Sequence, residues 1–302
     1  MNRLISIVGP TGVGKSAVAL RVAQQLGCPI ISADSVLIYH GLDIGSGKVT
    51  AEERALVPHF MIDILPPDVA FNAGEFTRQV DDLLAGLFLE HRDVVMVGGT
   101  GLYFQAVWEG FDEMPEVDES VREGLNAALE RGEFGELQAE LAVADPETWA
   151  LMDQRNPARV IRALEVWRST GMPISAFRQG NKRKNAWEDL KIGLELPREV
   201  LYARIEERVD QMLSTGLLAE TRRVGEAYGL DCKGLQSVGY REMVGFLRDE
   251  FDWEEAVRLM KRNTRRYAKR QFTWFRRYEG IRWFAPNDGD GIADYLGIPL
   301  SS

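Results

Sequence analysis

The sequence predicts an α/β chain: a doubly wound parallel sheet carrying a phosphate-binding loop, with a mostly helical insertion domain and a helical C-terminal segment. Three observations carry this prediction. Short apolar runs alternate with helical patterns over residues 1–112, as buried parallel strands and their covering helices do. The first run leads into Gly9-Pro10-Thr11-Gly12-Val13-Gly14-Lys15-Ser16. From residue 113 to 190 the strands stop and the chain turns acidic, Ala/Leu/Glu-rich and helical.

Taken in order, residues 4–8 read as the first strand and 16–26 as the helix that follows the loop. Residues 30–32 and 94–97 read as further buried strands, and 74–90 as a covering helix. "KIGLELP", residues 191–197, reads as a strand returning to the sheet. Beyond Arg198 the pattern is helical and closes in the basic-aromatic stretch "RLMKRNTRRYAKRQFTWFRRYEG". The expected organisation is a core in two parts, 1–112 and 191–302, interrupted by an insertion at 113–190.

At 302 residues, 45% hydrophobic and 27% charged, the chain can bury a substantial core in about two domains. No apolar run approaches the roughly 20 residues that cross a bilayer, and a strand begins almost at once, so the expectation is a cytoplasmic monomer with no membrane partner. Cys28 and Cys232 are far apart, and His40, His59 and His91 lack ligand spacing, which argues against zinc and a disulfide framework. Net charge is −10, but it is unevenly spread. Residues 112–155 hold 13 Asp and Glu against three Arg, whereas 255–283 hold ten Lys and Arg against two Glu. A local basic surface of that kind suits a nucleic-acid partner whatever the total charge.

The pattern Gly9-x-x-x-x-Gly14-Lys15-Ser16 between strand and helix is a P-loop. Its glycines let successive N–H groups turn toward an anion, and the helix adds its positive end. Lys15 contributes charge, and the Ser16 hydroxyl can ligate Mg²⁺. Phosphates are therefore expected, with no word on what they carry. A nucleotide hydrolase would show an apolar strand ending in Asp. "VVMVGGTG", residues 94–101, ends without a carboxylate and offers Thr100 instead. Asp34 and Ser35 follow the 30–32 strand and so reach the same sheet edge. Alone, such a pair is equally a helix cap.

"GPTGVGKS", "DSVLIYHGLDIGSGK", "PHFMIDI", "VGGTGLY", "NPARVIRALEVW", "GLLAE", "VGYREM" and "TRRYAKRQFTWFRR" occur in this order. Together they resemble the bacterial tRNA dimethylallyltransferases, which prenylate adenosine 37 beside the anticodon. The resemblance implies that residues 9–16 hold the diphosphate of dimethylallyl diphosphate, with Mg²⁺ on Ser16 and help from Arg222. It makes Asp34 the acceptor of the N6 proton, with Lys15 and Thr100 as further catalytic groups. It assigns contacts with the anticodon stem-loop to Asp34, Ser35, Val36, Leu37 and Thr100, to Arg122, and to Ala158, Arg159, Val160, Ile161 and Arg162. The basic helix would add Arg266, Lys269 and Thr273. Leu37, "IGSGKV", Phe60 and Ala158 depart from the commoner family pattern. A P-loop small-molecule or nucleoside kinase, and a non-catalytic RNA-binding NTPase switch, are the rival readings.

Overall fold

The computed structural model describes residues 1–112, 114–178, 180 and 183–298. It divides into two compact units, Met1–Trp108 with Lys184–Ser302, and Glu109–Arg183. The first unit opens with β1 (Arg3–Val8), α1 (Lys15–Leu26), β2 (Ile30–Ala33), α2 (Ala51–Leu56), β3 (His59–Phe60), α3 (Ala73–Glu90), β4 (Asp93–Gly98) and α4 (Gly101–Glu109). The second unit carries α5 (Glu119–Glu130), α6 (Phe134–Ala144), α7 (Pro146–Leu151), α8 (Pro157–Thr170) and a 3₁₀ turn at Ile174–Phe177. The chain then returns through β5 (Glu188–Leu194), α9 (Arg198–Ser214), α10 (Leu217–Tyr228), α11 (Tyr240–Leu247), α12 (Trp253–Phe275), β6 (Arg282–Phe284) and α13 (Gly289–Leu296).

The described strands form one sheet in the order β3-β2-β4-β1-β5-β6, with every pair parallel. Strand side chains alternate between its faces. Ile5, Ile7, Ile30 and Val95 pack with Val18 and Val22 of α1 and with Leu201 and Ile205 of α9. Leu4, Val8, Ile31, Val94 and Met96 pack on the other face with Phe76, Val80 and Leu84 of α3 and Phe104 of α4. Each such fully buried side chain contributes about 1.5–3 kcal/mol. Val8 and Ala33 are both in register with Gly98, so β1, β2 and β4 end level. Their following loops leave the sheet side by side, at the carboxyl edge where open α/β sheets place ligands.

Two short strands escape a reading by apolar runs. β3 has two residues and β6 three, both at sheet edges. β6 lies in the C-terminal region that reads as helix, because α12 stops at Phe275. β5 begins at Glu188, inside the expected insertion, since its first half is polar and only its last three residues are buried. The unit boundaries accordingly fall at Glu109 and Arg183; residue 113, the expected start, lies outside the described residues. The second unit has its own core of Leu125, Leu141, Val160 and Leu164. No helix among the described residues is long and apolar enough to cross a membrane.

Candidate active site

The phosphate loop bends because Gly14, the residue that caps α1, sits at φ 105°, a conformation that costs a side-chain-bearing residue dearly. Of the loop, Thr11, Gly12, Gly14, Lys15 and Ser16 line a cavity of about 320 Å³, while Val13 is buried in the core. Arg208 of α9, Asp34, Ser32, Tyr267 and Gln271 complete much of its wall. A second cavity of about 260 Å³ shares Thr11, Asp34, Ser46, Arg208 and Tyr267 with the first. Its remaining wall includes Ile205, Val209, Met212, Val238 and Met260. The first is thus the cationic cavity of Lys15 and Arg208, the second carries the apolar lining beside Arg208 and Arg270, and the Asp34 carboxylate lines both.

Two half-buried cations dominate the electrostatics. Burial pushes Lys15 down to about 8, opposed by the nearby Asp34 charge and reinforced by Arg208. Burial likewise lowers Arg208, again with Asp34 working against it. Lys15 Nζ donates to the Pro10 carbonyl at 2.9 Å, and Arg208 donates to the Ser46 carbonyl at 3.3 Å. Cations held at such a cost gain from an entering polyanion, which restores the interaction that burial removed.

Asp34 Oδ1 accepts the Val36 N–H at 2.9 Å, closing a turn after β2. Thr100 does not line either cavity. Its hydroxyl accepts the Ser35 N–H at 3.0 Å, and its own N–H donates to the Ala33 carbonyl at 3.2 Å. Thr100 therefore ties the Asp34 turn to the end of β4. Gln271 does the same for the phosphate loop. It accepts the Thr11 N–H at 2.8 Å and donates to the Gly99 carbonyl at 3.0 Å. A Cβ on Gly99 would lie 2.1 Å from its amide nitrogen, so any side chain there would push Gln271 out of this arrangement.

Other expected residues are placed differently. Arg222 is exposed on α10 and lines neither cavity; Arg208 of α9 is the arginine on the wall of both. In the sequence Arg208 is one more charged residue of an ordinary helix, so nothing local distinguishes it. Leu37 lines the cationic cavity and Val36 the apolar one. On α8, Ala158 and Arg159 are exposed, but Val160 and Ile161 point into the core of the second unit. Helical period makes this unavoidable, and both apolar side chains are spent on that core. Arg122 and Arg162 converge on buried Glu165, at 2.7 and 3.3 Å. On α12, Arg266, Lys269 and Thr273 are placed differently from the stripe that enters the core: Arg266 and Lys269 lie off it, and Arg276, just past the helix end, pairs with Glu195.

The residues fit a hydrated magnesium ion. Ser16 and Asp34 supply oxygens on one wall, and the buried Ser32 hydroxyl beside them has no hydrogen-bond partner. Among the described residues no three His, Cys, Asp or Glu gather as a metal cage.

A family model described as IPP transferase matches residues 37–278, and one described as isopentenyl transferase matches residues 2–65. A tRNA dimethylallyltransferase of Cytophaga hutchinsonii is 44% identical over 98% of this chain and 97% of its own. That of Symbiobacterium thermophilum is 46% identical over 93% and 88%. The crystal structure of a tRNA isopentenylpyrophosphate transferase from Bacillus halodurans superposes with TM-score 0.72 at 38% identity, covering 98% of this chain and 94% of that one. A eukaryotic dimethylallyltransferase acting on tRNA shares the fold, with TM-score 0.83 at 23% identity over 100% and 81%.

Proposed function

The chain belongs to the tRNA dimethylallyltransferase family, and from that premise we propose that it transfers a dimethylallyl group from dimethylallyl diphosphate to N6 of adenosine 37 in tRNA, in the cytoplasm. The observation that carries the reading is the wall common to the two cavities, where Asp34, Arg208 and Tyr267 meet. The diphosphate occupies the cationic side, against the loop amides, Lys15 and Arg208. The prenyl chain lies toward the apolar side, which puts its C1 beside Asp34.

N6 of adenine is a weak nucleophile, because its lone pair is delocalised into the ring. The base must also leave the anticodon stack, at a cost of a few kcal/mol. Asp34 orients the amine and accepts its proton as the N6–C1 bond forms. The C1–O bond breaks, and its electron pair leaves on the diphosphate. Lys15, Arg208 and the loop N–H groups are fixed before that charge develops, which is where such sites gain most of their rate. Mg²⁺, held by Ser16, would supply further positive charge to the leaving group.

The test is transfer of label from radiolabelled dimethylallyl diphosphate to bulk tRNA, with and without ATP. Magnesium-dependent transfer without ATP is expected. Strict ATP dependence would favour the kinase reading.

A further inference from the structure

The loop at residues 43–47 reaches both cavities: Gly45 and Ser46 line the apolar one, Ser46 and Gly47 the cationic one. Behind it lies Glu220 of α10, which is 3% exposed and lines neither. Its carboxylate accepts the N–H groups of Asp43 at 3.0 Å, Ile44 at 3.0 Å and Gly45 at 3.1 Å, and the Tyr240 hydroxyl at 2.5 Å. Three successive N–H groups turned onto one anion form the same kind of nest as a phosphate loop. Here the protein supplies the anion itself.

The loop this nest fixes is the one that touches Arg208. The Ser46 carbonyl accepts the Arg208 guanidinium, and a Cβ on Gly47 would fall 1.8 Å from its Nη2. On the other side a Cβ on Gly45 would sit 2.5 Å from the Tyr240 ring. The backbone therefore runs close between the Tyr240 ring and the Arg208 guanidinium. A shift of the loop moves the carbonyl that sets the guanidinium.

We propose that Glu220 is a positioning residue for the diphosphate site, acting through the 43–47 loop on Arg208. The proposal rests on the diphosphate reading given above. Glu220→Gln replaces one carboxylate oxygen by an amide group that cannot accept, so at least one loop N–H loses its partner. Affinity for inorganic pyrophosphate, measured by calorimetry in the presence of Mg²⁺, should fall by about tenfold, the scale of one lost buried hydrogen bond. Arg208→Ala should weaken pyrophosphate as well, and the double variant should be no weaker than Arg208→Ala alone, because the two residues act as one unit.

Additive losses in this cycle, or wild-type pyrophosphate affinity in Glu220→Gln, would overturn the proposal and leave the diphosphate reading intact. Wild-type affinity in Arg208→Ala would overturn both. If Glu220→Gln does not fold, Tyr240→Phe removes one of the carboxylate's partners and goes through the same cycle, with a smaller loss and the same non-additivity expected.

Discussion

Asp34 and Lys15 share one cavity wall but serve opposite ends of the reaction, so their removal should fail differently. Asp34→Asn keeps the acceptor for the Val36 N–H and loses the ability to take a proton. Single-turnover rate at saturating donor should drop by about 10²–10⁴-fold, the usual range for a lost general base, with pyrophosphate affinity near normal. Lys15→Ala removes charge that acts before and during bond breaking, so pyrophosphate affinity and turnover should both suffer. If Asp34 served only to close its turn, Asp34→Ala would cost about 1 kcal/mol of stability at an unchanged rate per folded molecule. Thermal unfolding measured beside the single-turnover rate separates the two. Gln271 gives a third residue-level test. Gln271→Leu leaves the buried Gly99 carbonyl and the half-buried Thr11 N–H without this partner, and should destabilise the protein by about 1–3 kcal/mol in thermal or urea unfolding.

α12 shows how one element serves two purposes. Asp252 caps it by accepting the Glu255 N–H, and Ala256, Met260, Ala268, Gln271 and Phe275 form its buried stripe. Tyr267 on its cavity side is raised by burial and by the Asp34 charge. Arg266 and Lys269 project outward. Reversing both to Glu should weaken tRNA binding without changing pyrophosphate affinity. It should also flatten the salt dependence by about 0.7–0.9 in log–log slope for each RNA phosphate that is no longer neutralised. Filter binding at low and high salt checks this, and an unchanged tRNA affinity at both would assign that face to solvent.

For the molecule as a whole, a charge of −10 coexists with a polyanionic substrate because acid and base are segregated along the chain. The second unit exposes Arg159, and the first exposes Arg266 and Lys269. If one tRNA engages both units, Arg159→Glu and Arg266→Glu should each weaken binding. Their free energies should add within about 0.3–0.5 kcal/mol in the double variant, as for independent sites. Binding that is indifferent to Arg159→Glu would confine the RNA to the first unit.

The sequence by itself determined the doubly wound sheet, the phosphate loop and the place of Asp34. Each of these is written in a local pattern: an apolar run, a glycine spacing, a carboxylate one residue past a strand. The ends of β1, β2 and β4 then had to lie level, and the structure places them in register at Val8, Gly98 and Ala33. Tertiary structure alone decided that Arg208 lines the cavities and Arg222 does not, since both are single charged residues on ordinary helices. It turned Val160 and Ile161 inward, tied the Thr100 hydroxyl to the Ser35 backbone, and brought Gln271 to Thr11 across 260 positions of chain. It also set Glu220 under a loop far away in sequence. A buried polar group takes whatever partner the packing of whole helices brings within hydrogen-bond distance, and no local spacing encodes which partner that is.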